Sequence, residues 1–73
     1  MTISYDAEVH ALSITFRDTT VTTKHLAEGI AADYDANGRL VGIEVLDALR
    51  RLGGVDALRH IAIEGVGPAV RPA

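Results

Sequence analysis

The chain is 73 residues long, enough for one small domain, and 48% of it is hydrophobic against 23% charged, a balance that excludes an intrinsically disordered tail. No apolar run approaches the roughly 18 residues of a membrane-spanning helix, and the start Met1-Thr2-Ile3-Ser4-Tyr5-Asp6 lacks the basic-then-apolar pattern of a leader, so a cytoplasmic protein is expected. Net charge is −3 and there is no cysteine, which removes disulfides, thiolate metal sites and a thiol nucleophile.

The charge is unevenly spread. Residues 1–47 hold eight acids against three bases, a net −5, whereas the remainder holds four arginines against Asp56 and Glu64, a net +2. An acidic body is a poor match to phosphate backbones, so nucleic-acid binding through Arg50, Arg51 and Arg59 ranks last among the functions considered.

In chain order, Ile3 and Tyr5 alternate with Thr2, Ser4 and Asp6, and Leu12, Ile14 and Phe16 alternate with Ala11, Ser13, Thr15 and Arg17, the period-two pattern of half-buried strands. The short polar link between them, residues 6–10, predicts a hairpin. Val21-Thr22-Thr23-Lys24 reads as a short strand extension, and residues 26–34 as a third strand with Gly29 marking a bulge or a close backbone approach. Asp35-Ala36-Asn37-Gly38 is turn chemistry that tolerates positive φ, and residues 39–46 then form the returning strand. A loop of even length sets Ile30, Ala32 and Tyr34 on one face with Val41, Ile43 and Val45; a slip of one residue would put Asp33 there. The opposite face then carries Leu40, Glu44 and Leu46 together with Ala31, Asp33 and Gly42, a mixture suited to a subunit or ligand interface.

Residues 46–54 read as a helix of about two turns, with Asp47 able to cap, Arg50 and Arg51 in the last turn and Gly53 ending it. Residues 55–63 fit helix or strand, with helix favoured for the first half. Residues 65–73 hold two prolines and two glycines and are expected to be a flexible tail behind a single domain of residues 1–64.

The block Gly38-Arg39-Leu40-Val41-Gly42-Ile43-Glu44-Val45-Leu46-Asp47-Ala48, preceded by Tyr5-Asp6-Ala7-Glu8, Ala11-Leu12-Ser13-Ile14, Gly29 and Asp33-Tyr34-Asp35, resembles a small bacterial family of domains of unknown function, number twenty-two eighty-three, over about residues 2–50. His10 and Ser13 stand where that family commonly has an Asp and a Tyr. The resemblance implies a small single-sheet protein, sometimes encoded beside other small proteins in toxin–antitoxin-like pairs. It implies no activity and no cofactor.

The fold class expected is α+β: an antiparallel meander of three to four strands followed by a short C-terminal helical segment packed on one face. The predicted core is Ile3, Tyr5, Leu12, Ile14, Phe16, Ile30, Ala32, Tyr34, Val41, Ile43, Val45, Leu49 and Leu52. A helix of two turns cannot cover such a sheet, so a homo-oligomer, first of all a dimer, is expected.

The one dense acidic group is Asp33, Asp35, Glu44 and Asp47. Asp33 and Glu44 fall opposite or diagonal on one face, where paired carboxylates can divide acid and base roles or, with Asp35, hold a divalent metal. The structural alternative gives Asp35 to the turn, Asp47 to a helix cap, and Asp33 and Glu44 to solvent or arginine partners, and it is preferred. His10, His25 and His60 lack metal-site spacing, and no nucleophile elbow or phosphate loop is present.

The function expected is a non-enzymatic, homo-oligomeric interaction module for a protein partner, plausibly a basic one, with an antitoxin-like role as one form and Leu40, Glu44, Leu46, Arg50 and Arg51 as interaction residues. No cofactor is expected. The alternative is a metal-assisted hydrolase or acid/base enzyme using Asp33 and Glu44.

Overall fold

The computed structural model describes residues 1–65. Five strands, β1 (Thr2–Asp6), β2 (Ala11–Thr15), β3 (Thr22–Ala27), β4 (Ile30–Tyr34) and β5 (Leu40–Val45), form one antiparallel sheet in the order β1-β2-β5-β4-β3. Two short helices follow, α1 (Ala48–Arg51) and α2 (Val55–Arg59). The class is α+β as expected, but the strand count is five, not three to four. The extra strand comes from Gly29. Its φ of +73° puts it in a two-residue turn with Glu28, which splits the strand expected over 26–34. The threonine-rich stretch expected as an extension is therefore the start of β3.

Of the expected tail, residues 66–73 lie outside the described residues.

The alternation read in the sequence is realised across the sheet except beside the β4–β5 turn, where the loop is not even and Tyr34 faces Leu40, expected on the opposite face, instead of Val41. One face carries the rows Ile3, Ile14, Ile43, Ala32, Lys24 and Tyr5, Leu12, Val45, Ile30. The other carries Thr15, Gly42, Asp33, Thr23 and Ser13, Glu44, Ala31, His25. The β4–β5 connection is a type I-like turn closed by Gly38 N–H donating to the Asp35 carbonyl at 3.0 Å, with Gly38 at φ +78° and Asp35 N–H bonded to the Arg39 carbonyl at 2.9 Å. This leaves three residues inside the loop, an odd number that alone would turn the apolar side chains outward. The register then shifts: Tyr34 pairs with Leu40 but Asp33 with Gly42, so Val41 is an extra residue in β5 and the facing of Ala32 with Ile43 is restored.

The β2–β3 link runs past the ends of β5 and β4, about 14 Å at ~4.8 Å per strand. It is held at that end by Phe16 N–H donating to the Val41 carbonyl at 2.7 Å and by Arg17 reaching Asp35. At the other end Leu46 N–H bonds the Gly29 carbonyl at 2.8 Å and Ala48 N–H bonds the His10 carbonyl at 2.7 Å. The chain leaving β5 thus ties both hairpins together.

The helix expected over 46–54 is a single turn. Asp47 sits at φ +52° and makes no side-chain cap; it pairs with Arg50 Nε at 2.6 Å instead. The other end follows the sequence reading: Gly54 N–H bonds the Leu49 carbonyl and Gly53 N–H the Arg50 carbonyl, with Gly53 at φ +89°, a Schellman closure. Residues 55–59 are helical, and 60–64 form neither helix nor strand.

The buried core among the described residues is Ala31, Ala32, Val41 and Ala48. Of the predicted core, only Ala32 and Val41 are fully buried, while Ile3 and Tyr5 stay 38% exposed and Leu52 41%. The physical reason is area: nine helical residues cannot roof a five-stranded sheet.

Candidate functional site

The apolar face is covered only in part. Over β1 and β2, α2 and Ile61, two residues beyond it, leave a cleft of about 320 Å³ lined by Ile3, Tyr5, Leu12, Ile14, Leu58 and Ile61 among others. Ile61, at its rim, is 60% exposed. Apart from Ser4 and the Tyr5 phenol the lining is aliphatic, so the cleft can take apolar side chains and offers little to fix a polar substrate. The Tyr5 hydroxyl is already engaged, 2.5 Å from His10 Nδ1. Tyr5, Leu12, Ile14 and Ile3 were legible as sheet residues. Leu58 and Ile61 were not assigned to a site, although the helical spacing of Val55 and Leu58 was their local signal.

The acidic residues separate into three environments. Asp33 and Glu44 share the polar face and are diagonal: Asp33 faces Gly42, and Glu44 faces Ala31. Asp33 Oδ1 accepts a 2.6 Å bond from Thr23 Oγ1, and its Oδ2 lies over Gly42, 3.4 Å from where a Cβ would stand. Asp35 lies in the hairpin turn. Its Oδ1 accepts from Asn37 N–H and Arg39 N–H, both at 2.9 Å, while Oδ2 meets Arg17 and, at 3.4 Å, Arg39 Nε. The bond from the Arg39 amide, helped by Arg17, the Asn37 amide and the Arg39 charge, holds its carboxyl below the usual value near 3.8 against the opposing effect of burial. Asp47 belongs to the αL corner before α1.

The expected interaction residues fall at several places. Leu40 opens β5 and is 43% exposed, and Leu46 follows β5 at 48%. Arg50 pairs with Asp47, and Arg51 lies against Gly29 with its Nε buried and unbonded. Among the described residues no group of three or more His, Asp and Glu is placed to hold a metal ion. No described helix is long and apolar enough to cross a membrane.

A single antiparallel sheet with a half-roofed apolar face and no assembled polar centre among the described residues defines the class, a small α+β sheet domain. The family model described as Protein of unknown function (DUF2283) matches residues 2–48, and the chain belongs to that family. No curated protein and no solved structure matches it.

Proposed function

We propose that the protein is a non-enzymatic, homo-oligomeric interaction module of the bacterial cytoplasm, which completes its core on a second copy and offers its acidic surface to a protein partner, with an antitoxin-like role as one form. The observation that carries this is the open apolar face: Ile3, Tyr5, Leu52 and Ile61, 38–60% exposed, ring a cleft that α2 does not close. Apolar surface gathered in this way is stabilised by removal from water at about 25 cal/mol per Å². Among the described residues no further element supplies that cover to β1.

Light scattering of the purified protein over a range of concentrations, with and without a divalent cation, tests the reading. A dimer or larger assembly indifferent to metal is expected; a monomer throughout defeats it.

A second reading rests on Asp33 and Glu44, which share a face as a two-carboxylate enzyme requires. It is less supported, since the pair lies on an open sheet surface with Thr23 already bonded to Asp33 and no third ligand beside it among the described residues. The nucleic-acid reading has least support: Arg50 is ion-paired and Arg51 partly buried.

A further inference from the structure

We propose that β1 pairs antiparallel with β1 of a second copy about a two-fold axis at Ser4, joining two five-stranded sheets into one. This rests on the homo-oligomer reading above and names the surface that would carry it.

The two edges of the sheet differ in a way that matters. An edge strand presents unpaired N–H and C=O groups, and proteins blunt such edges with Lys, Pro or bulges. At the β3 edge Lys24 and His25 are present and the register slips between His25 and Ala27. At the β1 edge there is no such device: Thr2–Asp6 contains no Pro, Gly, Lys or Arg, and its ladder to β2 is continuous from Thr2 to Asp6. All five of its residues are exposed.

The strand is also self-complementary. In a two-fold antiparallel pair one residue faces its own copy, so a given side chain keeps to the same face of the joined sheet. With Ser4 at the axis all five residues find partners: Ile3 faces Tyr5 of the second copy, and Thr2 faces Asp6. An aromatic beside a β-branched residue is a favourable cross-strand pair, and Thr beside Asp can hydrogen-bond. The charges agree with this register. Asp6 is the one charged residue of β1, and the two copies of it would lie at opposite ends of the ladder, about 14 Å apart, beyond the screening length of ~8 Å at physiological salt. Moving the axis to Ile3 or Tyr5 would leave two of the five residues unpaired in each strand.

The joined face explains the open cleft. Ile3 and Tyr5 line it at the sheet edge, so the clefts of the two copies meet across the seam into one apolar tract, with Leu52 and Ile61 at its rim. Edge pairing alone covers less than the ~800 Å² per partner of a usual stable interface, and this apolar tract supplies further contact.

Cysteine substitution provides the test, since the chain has none of its own. Ser4→Cys places two thiols directly opposite, with Cβ atoms about 5 Å apart, within reach of mild oxidation or a short bismaleimide. Near-complete covalent dimer is expected from Ser4→Cys, little from Asp6→Cys alone, and a mixed dimer when Thr2→Cys and Asp6→Cys are combined. Ser4→Lys, which sets two like charges face to face, should raise the dimer dissociation constant at least about tenfold, with circular dichroism unchanged. If the unsubstituted protein is a dimer yet Ser4→Cys does not cross-link and Ser4→Lys does not weaken it, the β1 seam is wrong while the oligomer reading stands. If the unsubstituted protein scatters as a monomer at every concentration, both fall.

Discussion

Gly29 carries two separate constraints, and a double-mutant cycle can divide them. Its φ of +73° is a conformation that costs an L-residue roughly 1–2 kcal/mol, and a Cβ placed on it would stand 2.6 Å from Arg51 Cζ and 2.7 Å from Arg51 Nη2. Gly38 supplies the reference. Its φ is +78° and a Cβ there would meet nothing within 4 Å, so Gly38→Ala isolates the backbone cost. Less the ~0.4–1 kcal/mol gained by stiffening the unfolded chain, about 1 kcal/mol of destabilisation is expected for it. Gly29→Ala adds the displacement of Arg51, whose Nε is buried without a hydrogen-bond partner. Because the atoms met are the far end of a flexible side chain, this shift belongs at the low end of overpacking costs, about 1 kcal/mol, which brings Gly29→Ala to about 2 kcal/mol.

In an Arg51→Ala background the steric part disappears and Gly29→Ala should cost about 1 kcal/mol, the same as Gly38→Ala. The coupling between positions 29 and 51 is then about 1 kcal/mol. Urea unfolding followed by circular dichroism, at one fixed protein concentration because association shifts apparent stability, gives all four corners of the cycle. An equal cost of Gly29→Ala in both backgrounds would refute the contact.

Three further outcomes are expected from the turn, the core and the acidic face. Asp35→Asn should destabilise the β4–β5 hairpin near neutral pH; because the native carboxyl is shifted downward, its contribution is present above the unfolded value near 3.8 and lost as pH falls through the native one, so the deficit of the variant in pH-dependent melting should shrink on acidification. Val41→Ala removes two methyl groups from a residue 2% exposed and should cost about 2 kcal/mol in urea titration, without change in secondary structure. Millimolar Mg²⁺ or Mn²⁺ should leave the thermal midpoint unchanged, and a rise abolished by Asp33→Asn or Glu44→Gln would favour the carboxylate reading instead.

What was legible in the sequence was local. Asp35-Ala36-Asn37-Gly38 announces a turn because its residues favour turn conformations on their own, and the alternation of Ile30, Ala32, Ile43 and Val45 is enough to place Asp33 and Glu44 on one face. The odd loop and the compensating Val41 bulge were hidden, since their sum preserves the facing that the pattern demands. Glu28-Gly29 was misplaced for a different reason: a charged residue and a glycine inside an apolar run fit a bulge within one strand as well as a two-residue turn between two. The pairing of β2 with β5, and the seat of Arg51 on Gly29, join positions about thirty and twenty residues apart and have no local signature. Asp47 has a capping side chain, but the chain must turn through αL there to bring the Ala48 amide to the His10 carbonyl, and that tertiary bond overrides the local preference.

The extent of the family match has a structural meaning. Residues 2–48 begin with the first residue of β1 and end at Ala48, which is 0% exposed and makes the bond to His10 that ties the departing chain to the first hairpin. The matched span is therefore the whole sheet plus the knot that closes it. Leu52, Leu58 and Ile61, which roof and rim the cleft, lie beyond it. The match spans the sheet, β1 and the β4–β5 hairpin included, whereas the apolar roof over Ile3 and Tyr5 is built by residues outside it. If that roof adds apolar contact across the β1 seam, exchanging residues 52–61 should raise the dimer dissociation constant in light scattering while leaving the circular dichroism of the sheet unchanged.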